Sequence, residues 1–392
     1  MKLTALLPFL LLLFVGTACS SMIVPFMGFF LVEGLGRDPW TISVYSALAV
    51  CLTVTVNRLF ARRIDAGSPV SPLIGMALGG YLAATLALSV SPALWTVMTI
   101  GVLGFGFSSS AISTMFSLGG VLAERREIER SSFNAWMRAT TSTAWMVGPA
   151  LSFFVADRFG EASVFKLCAV LALVWLVLWR VALPRDITAE APPRAGADGE
   201  TERFNTGLWL SVAFVFCLST AHSLTFAALP LFYVREVGLP GYAPGTAFSI
   251  KTFVEVFAIF STPFLIARFG LWRSLMATTL LAVVTIQVLA AVSSFPQMLA
   301  GAALEGLYYG LYASLGISFV QSFAAGRPAR ATAIYWNAMM VTGILAGPAV
   351  GVIAQLRDFA TVIQVASAVA ACAALILFLG GWQTRRRSAT AA

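Results

Sequence analysis

Twelve long apolar runs divide the chain, at approximately 4–31, 40–60, 69–90, 94–121, 132–156, 162–183, 207–234, 245–266, 273–293, 296–322, 331–355 and 360–382. Each approaches or exceeds the roughly 20 residues that an α-helix needs to cross hydrocarbon. The runs are continuous and not alternating, which excludes a membrane β-barrel. Polar residues gather in short turns between them. One interruption is longer: Pro184 to Thr206 holds Pro192-Pro193, Ala, Gly and several acids, and reads as a flexible cytoplasmic linker. The pattern predicts an all-α integral membrane protein. Its 12 transmembrane helices form two six-helix bundles, residues 1–183 and 207–392, joined by the linker 184–206.

Composition sharpens the exclusions. Of the 392 residues, 59% are hydrophobic and 11% charged, whereas a soluble domain carries about 25% charged residues. A soluble enzyme, a disordered chain and a disulfide scaffold are excluded. The N-terminal stretch from Lys2 to Cys19 resembles a lipoprotein signal. The apolar run continues past Cys19 to Val32, too long for a signal core of about 7–15 residues, so it is expected to stay as the first helix. The five cysteines all lie inside apolar runs, with no CxxC spacing and a single His in the chain. No metal, disulfide framework or cofactor is expected.

Charge sets the orientation. With the N-terminus cytoplasmic, 18 Lys and Arg fall on the cytoplasmic side and 6 on the other, with Arg138 inside a helix. Excess Lys and Arg mark cytoplasmic loops, so both termini are expected inside. The basic clusters sit at helix ends, which speaks for topology and against nucleic acid. Trp40, Trp95, Trp209, Trp272 and Trp382 fall near helix ends, where an aromatic belt places them.

An internal repeat supports two halves. Gly148-Pro149-Ala150 in the fifth run returns as Gly347-Pro348-Ala349 in the eleventh, an offset of 199 residues. The first run ends Phe30-Leu31-Val32-Glu33-Gly34-Leu35-Gly36, and the seventh ends Phe232-Tyr233-Val234-Arg235-Glu236-Val237-Gly238. Matched helices run in the same direction, so the repeat is parallel, with its axis along the membrane normal.

Polar groups inside spanning helices are costly and usually face a cavity or another helix. Runs 3, 6, 9 and 12 are nearly free of them. Runs 1, 2, 4, 5, 7, 8, 10 and 11 are expected to wall a central cavity. Glu255, about mid-helix in the eighth run, is the first candidate for a substrate hydrogen bond or a protonatable group. Lys251 lies at i−4 and can approach it on the same face; a purely structural ion pair is the alternative. Arg138 lies about two turns into the fifth run, with Asn337 at the repeat-equivalent place in the eleventh. Glu305 and Tyr308 share a face at i, i+3 and combine an acid with an aromatic surface, a common way to hold a pyranose. His222 could relay protons near neutral pH or sit hydrogen-bonded in the interior. Asn134, Trp145 and Gln321 complete the candidate substrate or proton-coupling set.

Several stretches together resemble the major facilitator superfamily, and within it the bacterial sugar efflux transporter family. They are Met137-Arg138-Ala139 leading to Ala144-Trp145 and Gly148-Pro149, and Leu229-Pro230-Leu231 leading to Glu236-Val237-Gly238-Leu239-Pro240. Glu255 stands at the family's helix-8 acid. Gln321, Gly326-Arg327, Asn337, Ile344-Leu345-Ala346-Gly347 and Ala354-Gln355 extend the likeness to nearly the whole length. The loop between helices 2 and 3 departs from the superfamily pattern G-x-L-x-D-R-x-G-R-R. Phe60-Ala61-Arg62-Arg63-Ile64-Asp65 lacks its first Gly and early Asp, while the loop after helix 8 keeps Arg268-Phe269-Gly270 and Arg273. Arg62, Arg63, Asp65, Arg268 and Arg273 are expected as a cytoplasmic gate. Lys251 and Glu305 are not family-wide residues.

The resemblance implies the major facilitator fold and a secondary transporter. It would export sugars or glycosides across the inner membrane by proton antiport, working as a monomer on a small molecule, with protons and the lipid bilayer as its other partners. Proton-coupled multidrug efflux is the alternative, since Glu255 and Glu305 with aromatics would suit a cation. An enzyme is disfavoured: there is no Walker A sequence, no HExxH, and one His cannot serve a Ser/His/Asp set.

Overall fold

A computed structural model describes residues 6–125, 129–188, 206–323 and 328–390. Lys2, Arg126, Arg194, Arg203, Arg327 and most of the 184–206 segment lie outside the described residues. Within them the chain forms twelve helices, one for each apolar run, and among the described residues there is no strand.

In the first half, α1 (Leu7–Gly34), α2 (Trp40–Asp65) and α3 (Val70–Val90) lead to α4. Helix α4 starts at Leu94–Thr96, makes a π-helical turn at Val97–Gly101 and continues as Val102–Arg125. Then come α5 (Arg130–Phe159) and α6 (Ala162–Ala182). The second half holds α7 (Thr206–Glu236) and α8 (Ala243–Phe269), then α9 (Leu271–Ala290), α10 (Phe295–Ser322), α11 (Pro328–Leu356) and α12 (Phe359–Thr390). Ten of the twelve are long and apolar enough to cross a membrane. The other two, α5 and α10, carry the densest polar residues: Asn134, Arg138 and Thr140 to Thr143 in α5, and Glu305 with three tyrosines in α10.

The chain divides into two compact units. One comprises Met1–Arg194 with Pro240–Ser249; the other comprises Ala195–Leu239 with Ile250–Ala392. In the first unit α1 packs on α5 and α6, α3 on α4 and α6, and α2 on α4. In the second α7 packs on α11 and α12, and α9 on α10 and α12. The pairings of α1 with α5 and α6, and of α3 with α4 and α6, recur under the repeat.

The repeated helix ends have a shared backbone cause. Both α1 and α7 finish in a π-helical turn, Phe30–Gly34 and Phe232–Glu236. Leu35 N–H donates to Phe30 O at 2.9 Å and Arg37 N–H to Leu31 O at 3.0 Å. Val237 N–H donates to Phe232 O at 3.0 Å and Leu239 N–H to Tyr233 O at 2.9 Å. Gly36 and Gly238 follow at φ +57° and +75°, where a side chain is strained. The segment after α6 also stays attached to its own unit: Ile187 is buried and its carbonyl accepts the Val70 N–H at 2.8 Å.

The first unit is organised around rings. Phe26, Phe29, Phe30, Phe153 and Phe165 interlock edge to face, the tightest pair being Phe30–Phe165 at 4.7 Å. Ser21 Oγ donates to Ala144 O at 3.0 Å where Gly148 lets α1 approach α5.

Candidate functional site

Two glycines one turn apart set the geometry of the second unit. A Cβ on Gly306 would collide with the Lys251 backbone, and one on Gly310 would lie 2.5 Å from the Glu255 carbonyl. Small residues at this spacing let α10 and α8 cross with their backbones nearly touching. The crossing brings Glu305, the neighbour of Gly306, against Lys251.

Lys251 Nζ lies 3.1 Å from Glu305 Oε1. Both are out of solvent, with 4% and 2% of their surface exposed. The contact is an ion pair by distance, yet Oε1 accepts no well-angled hydrogen bond. A buried carboxylate in low dielectric normally gathers several donors; at Oε1 the nearest charged partner is the Lys251 ammonium.

His222, from α7, closes the cluster. Its Nε2 lies 3.2 Å from Lys251 Nζ and its Nδ1 lies 3.0 Å from the Tyr308 hydroxyl. Nδ1 is also 3.7 Å from Glu305 Oε1. An ammonium can only donate, so Nε2 must be the acceptor and the Nδ1 nitrogen carries the proton. The imidazole is therefore neutral while Lys251 is charged. The His222 ring stacks on Tyr309 at 3.8 Å with 17° between planes. Lys251 Nζ sits 4.9 Å from the Phe226 ring and 5.0 Å from that of Tyr309, within cation–π range. Deeper along the same face, Ser219 Oγ and the Tyr312 hydroxyl are 2.6 Å apart, and Tyr312 OH donates to Val215 O at 3.1 Å.

The structure therefore joins His222, Lys251, Glu305 and Tyr308 in one buried cluster of the second unit. It alters one pairing. Helical spacing places Lys251 beside Glu255, but Lys251 pairs with Glu305 because the glycine crossing offers that acid from the facing helix. Glu255 is half-buried and forms no ion pair among the described residues. Lys251 also lies well inside α8 and buried, not at a helix end as its place among the non-cytoplasmic basic residues implies.

Asn337 is exposed on α11 and Gln321 half-buried near the end of α10. In the first unit Arg138 is exposed on α5, and Asn134 and Trp145 are partly buried. Arg62, Arg63, Asp65, Arg268 and Arg273 are all exposed, and among the described residues none of them forms an ion pair. Phe226 and Tyr309 belong to the site although sequence reasoning did not select them. Their signal was available: each follows a selected residue by one turn, Phe226 after His222 and Tyr309 after Glu305.

Comparison with known proteins places the fold. A profile of the Major Facilitator Superfamily matches residues 121–285. The crystal structure of the nucleoside transporter NupG superposes with a TM-score of 0.78 at 12% identity, covering 96% of this chain and 98% of that one. A bacterial homologue of the iron transporter ferroportin, in its inward-facing state, gives a TM-score of 0.71 at 16% identity, with 96% and 98% covered. The chain has the major facilitator fold. Within that class it resembles the sugar efflux transporters. It is 25% identical over 353 residues to sugar efflux transporter A of Escherichia coli (strain K12), covering 88% of each chain. It is 24% identical over 380 residues to sugar efflux transporter A of Dickeya chrysanthemi, covering 94% of each.

Proposed function

We propose that this protein is a secondary active transporter that exports sugars or glycosides across a bacterial inner membrane, by proton antiport and alternating access between its two halves. The resemblance to sugar efflux transporters over about nine-tenths of the chain carries the reading. The second unit supplies suitable chemistry. Glu255 is half-buried and, among the described residues, forms no ion pair, and its carboxylate is a group that sugar hydroxyls can donate to. Tyr308, Tyr309 and Tyr312 add aromatic surface nearby. The basic-residue bias favours both termini in the cytoplasm. Arg138, Asn134, Trp145, Asn337 and Gln321 are further substrate-contact candidates, and Arg62, Arg63, Asp65, Arg268 and Arg273 remain gate candidates.

The site disfavours the drug-pump alternative. A lipophilic cation would seek an acid flanked by ring faces, but Lys251 already occupies that place against Glu305, Phe226 and Tyr309. The test is uptake of radiolabelled lactose and simple glucosides into everted vesicles with an inside-acid gradient. Uptake above that of vesicles lacking the protein is expected. Accumulation of a cationic dye with no sugar uptake would replace this reading with the drug pump.

A further inference from the structure

We propose that the Lys251–Glu305 pair is a subsite for two adjacent hydroxyls of a neutral sugar, and that its balanced charge makes the site refuse acidic and amino sugars. This rests on the sugar-export reading above and names the charge class of its substrate.

The pair has hydrogen-bonding capacity to spare in a buried place. Lys251 and Glu305 have 4% and 2% of their surface exposed. An ammonium carries three donors. Among the described residues Lys251 makes one hydrogen bond, to His222 Nε2 at 3.2 Å. Glu305 Oε1 faces Nζ at 3.1 Å, yet it accepts no well-angled hydrogen bond. Tyr308 adds a further donor. Its hydroxyl oxygen accepts the Nδ1–H of His222 at 3.0 Å, and among the described residues its own hydrogen meets no acceptor. A pair kept for stability alone would have a different geometry. Buried ion pairs offset their desolvation only when well aligned and supported by additional hydrogen bonds, and buried polar groups nearly always find partners. Here α7, α8 and α10 each contribute a polar side chain, and the donors and the acceptor they bring together are left over for a ligand.

Two neighbouring hydroxyls on a sugar ring match that surplus. One oxygen accepts from Lys251 while the adjacent O–H donates to Glu305, so the ligand supplies the bonds the pair lacks and leaves its charges together. Hydrogen bonds to charged groups are the stronger kind. The rings of Phe226 and Tyr309 lie 4.9 and 5.0 Å from Nζ and are half-buried, which gives apolar surface for the C–H face of a sugar. Charge decides what is refused. Lys251 and Glu305 cancel, and His222 is neutral because its Nε2 accepts from the ammonium. A carboxylate on the ligand would set a second anion beside Glu305. An amine would set a second cation beside Lys251. Either leaves a net charge among membrane-spanning helices, which is unfavourable.

The test is binding to purified full-length protein in lipid nanodiscs, by equilibrium dialysis of labelled methyl glucoside. Methyl glucuronide and the methyl glycoside of glucosamine compete at about pH 6, where the first is an anion and the second a cation. Wild type is expected to bind both charged glycosides at least about tenfold more weakly than methyl glucoside, because like charges set side by side suppress the wrong partner. Glu305→Gln leaves a lone ammonium and is expected to prefer the glucuronide. Lys251→Gln leaves a lone carboxylate and is expected to prefer the amino sugar. Equal binding of neutral and charged glycosides by wild type overturns the proposal, as does a failure of both variants to change preference, or no binding of methyl glucoside. A series of monodeoxy glucosides needs no variant and keeps the test valid if the substitutions prevent folding. Loss of either of two adjacent hydroxyls is expected to weaken binding, and a series in which no adjacent pair matters overturns the proposal. If the preferences hold but vesicles move no sugar, the transport reading fails alone. If vesicles move sugar but the preferences fail, this inference fails alone.

Discussion

Removing Glu305 and removing Lys251 are not equivalent to removing both. Each is almost fully buried, and their 3.1 Å contact is the main compensation for two charges in low dielectric. Glu305→Ala strands the ammonium, and breaking a buried pair costs about 3–5 kcal/mol. The double change Lys251→Met with Glu305→Met removes both charges and is expected to recover most of that loss. Thermal unfolding of the purified variants reads the difference: a lower Tm for the single variant than for the double. Asp358 behaves differently because it lies outside the spanning segments, in the turn before α12. Its carboxylate accepts hydrogen bonds from Thr361, including the backbone N–H at 2.6 Å, and these, with Arg357 nearby, hold its pKa below the ordinary value. A depressed carboxyl pKa stabilises the fold above the unfolded value and loses that contribution as pH falls through the folded one. Wild type is thus expected to lose Tm below about pH 4 more steeply than Asp358→Asn, in matched melts across that range.

At the scale of helices, the α8–α10 crossing is the decisive contact. A side chain on Gly306 would press into the Lys251 backbone, so Gly306→Val must push α8 away. Overpacking of this kind costs about 1–3 kcal/mol, and it also separates Lys251 from Glu305. Gly343→Val is the comparison, because a Cβ there meets nothing within 4 Å. A crosslinking or melting assay should register the first change and not the second. The same crossing explains what could be read in advance. All twelve helices were legible, because a span needs only apolar length and the turns between them are polar. Their ends were less so: α2 continues to Asp65 and α12 to Thr390, since charged last turns remain helical outside hydrocarbon. The π-helical turns left no mark in hydropathy, although their repeated sequence, Phe30 to Gly36 and Phe232 to Gly238, was visible. Glu255, Glu305, Lys251, His222 and Tyr308 stood out as polar residues in apolar helices. Which acid Lys251 meets was not legible, because i, i+4 spacing describes one helix and the actual partner comes from another.

Over the whole molecule, the account joins a major facilitator fold, a parallel repeat and a buried charged cluster in the second half. The basic-residue bias predicts topology as well. A fluorescent-protein fusion at the C-terminus should be bright, and an alkaline phosphatase fusion in the turn at Asp358 should be active; the reverse pattern would invert the orientation. The central claim is that sugar movement and proton movement are one event. By linkage, a sugar driven by protons must itself drive protons. The direct measurement is addition of lactose or a simple glucoside to everted vesicles holding an inside-acid gradient, with a pH dye trapped inside. The account predicts that sugar dissipates the gradient in wild type and not in Glu255→Gln. Labelled sugar that enters while the gradient stays undisturbed would contradict it.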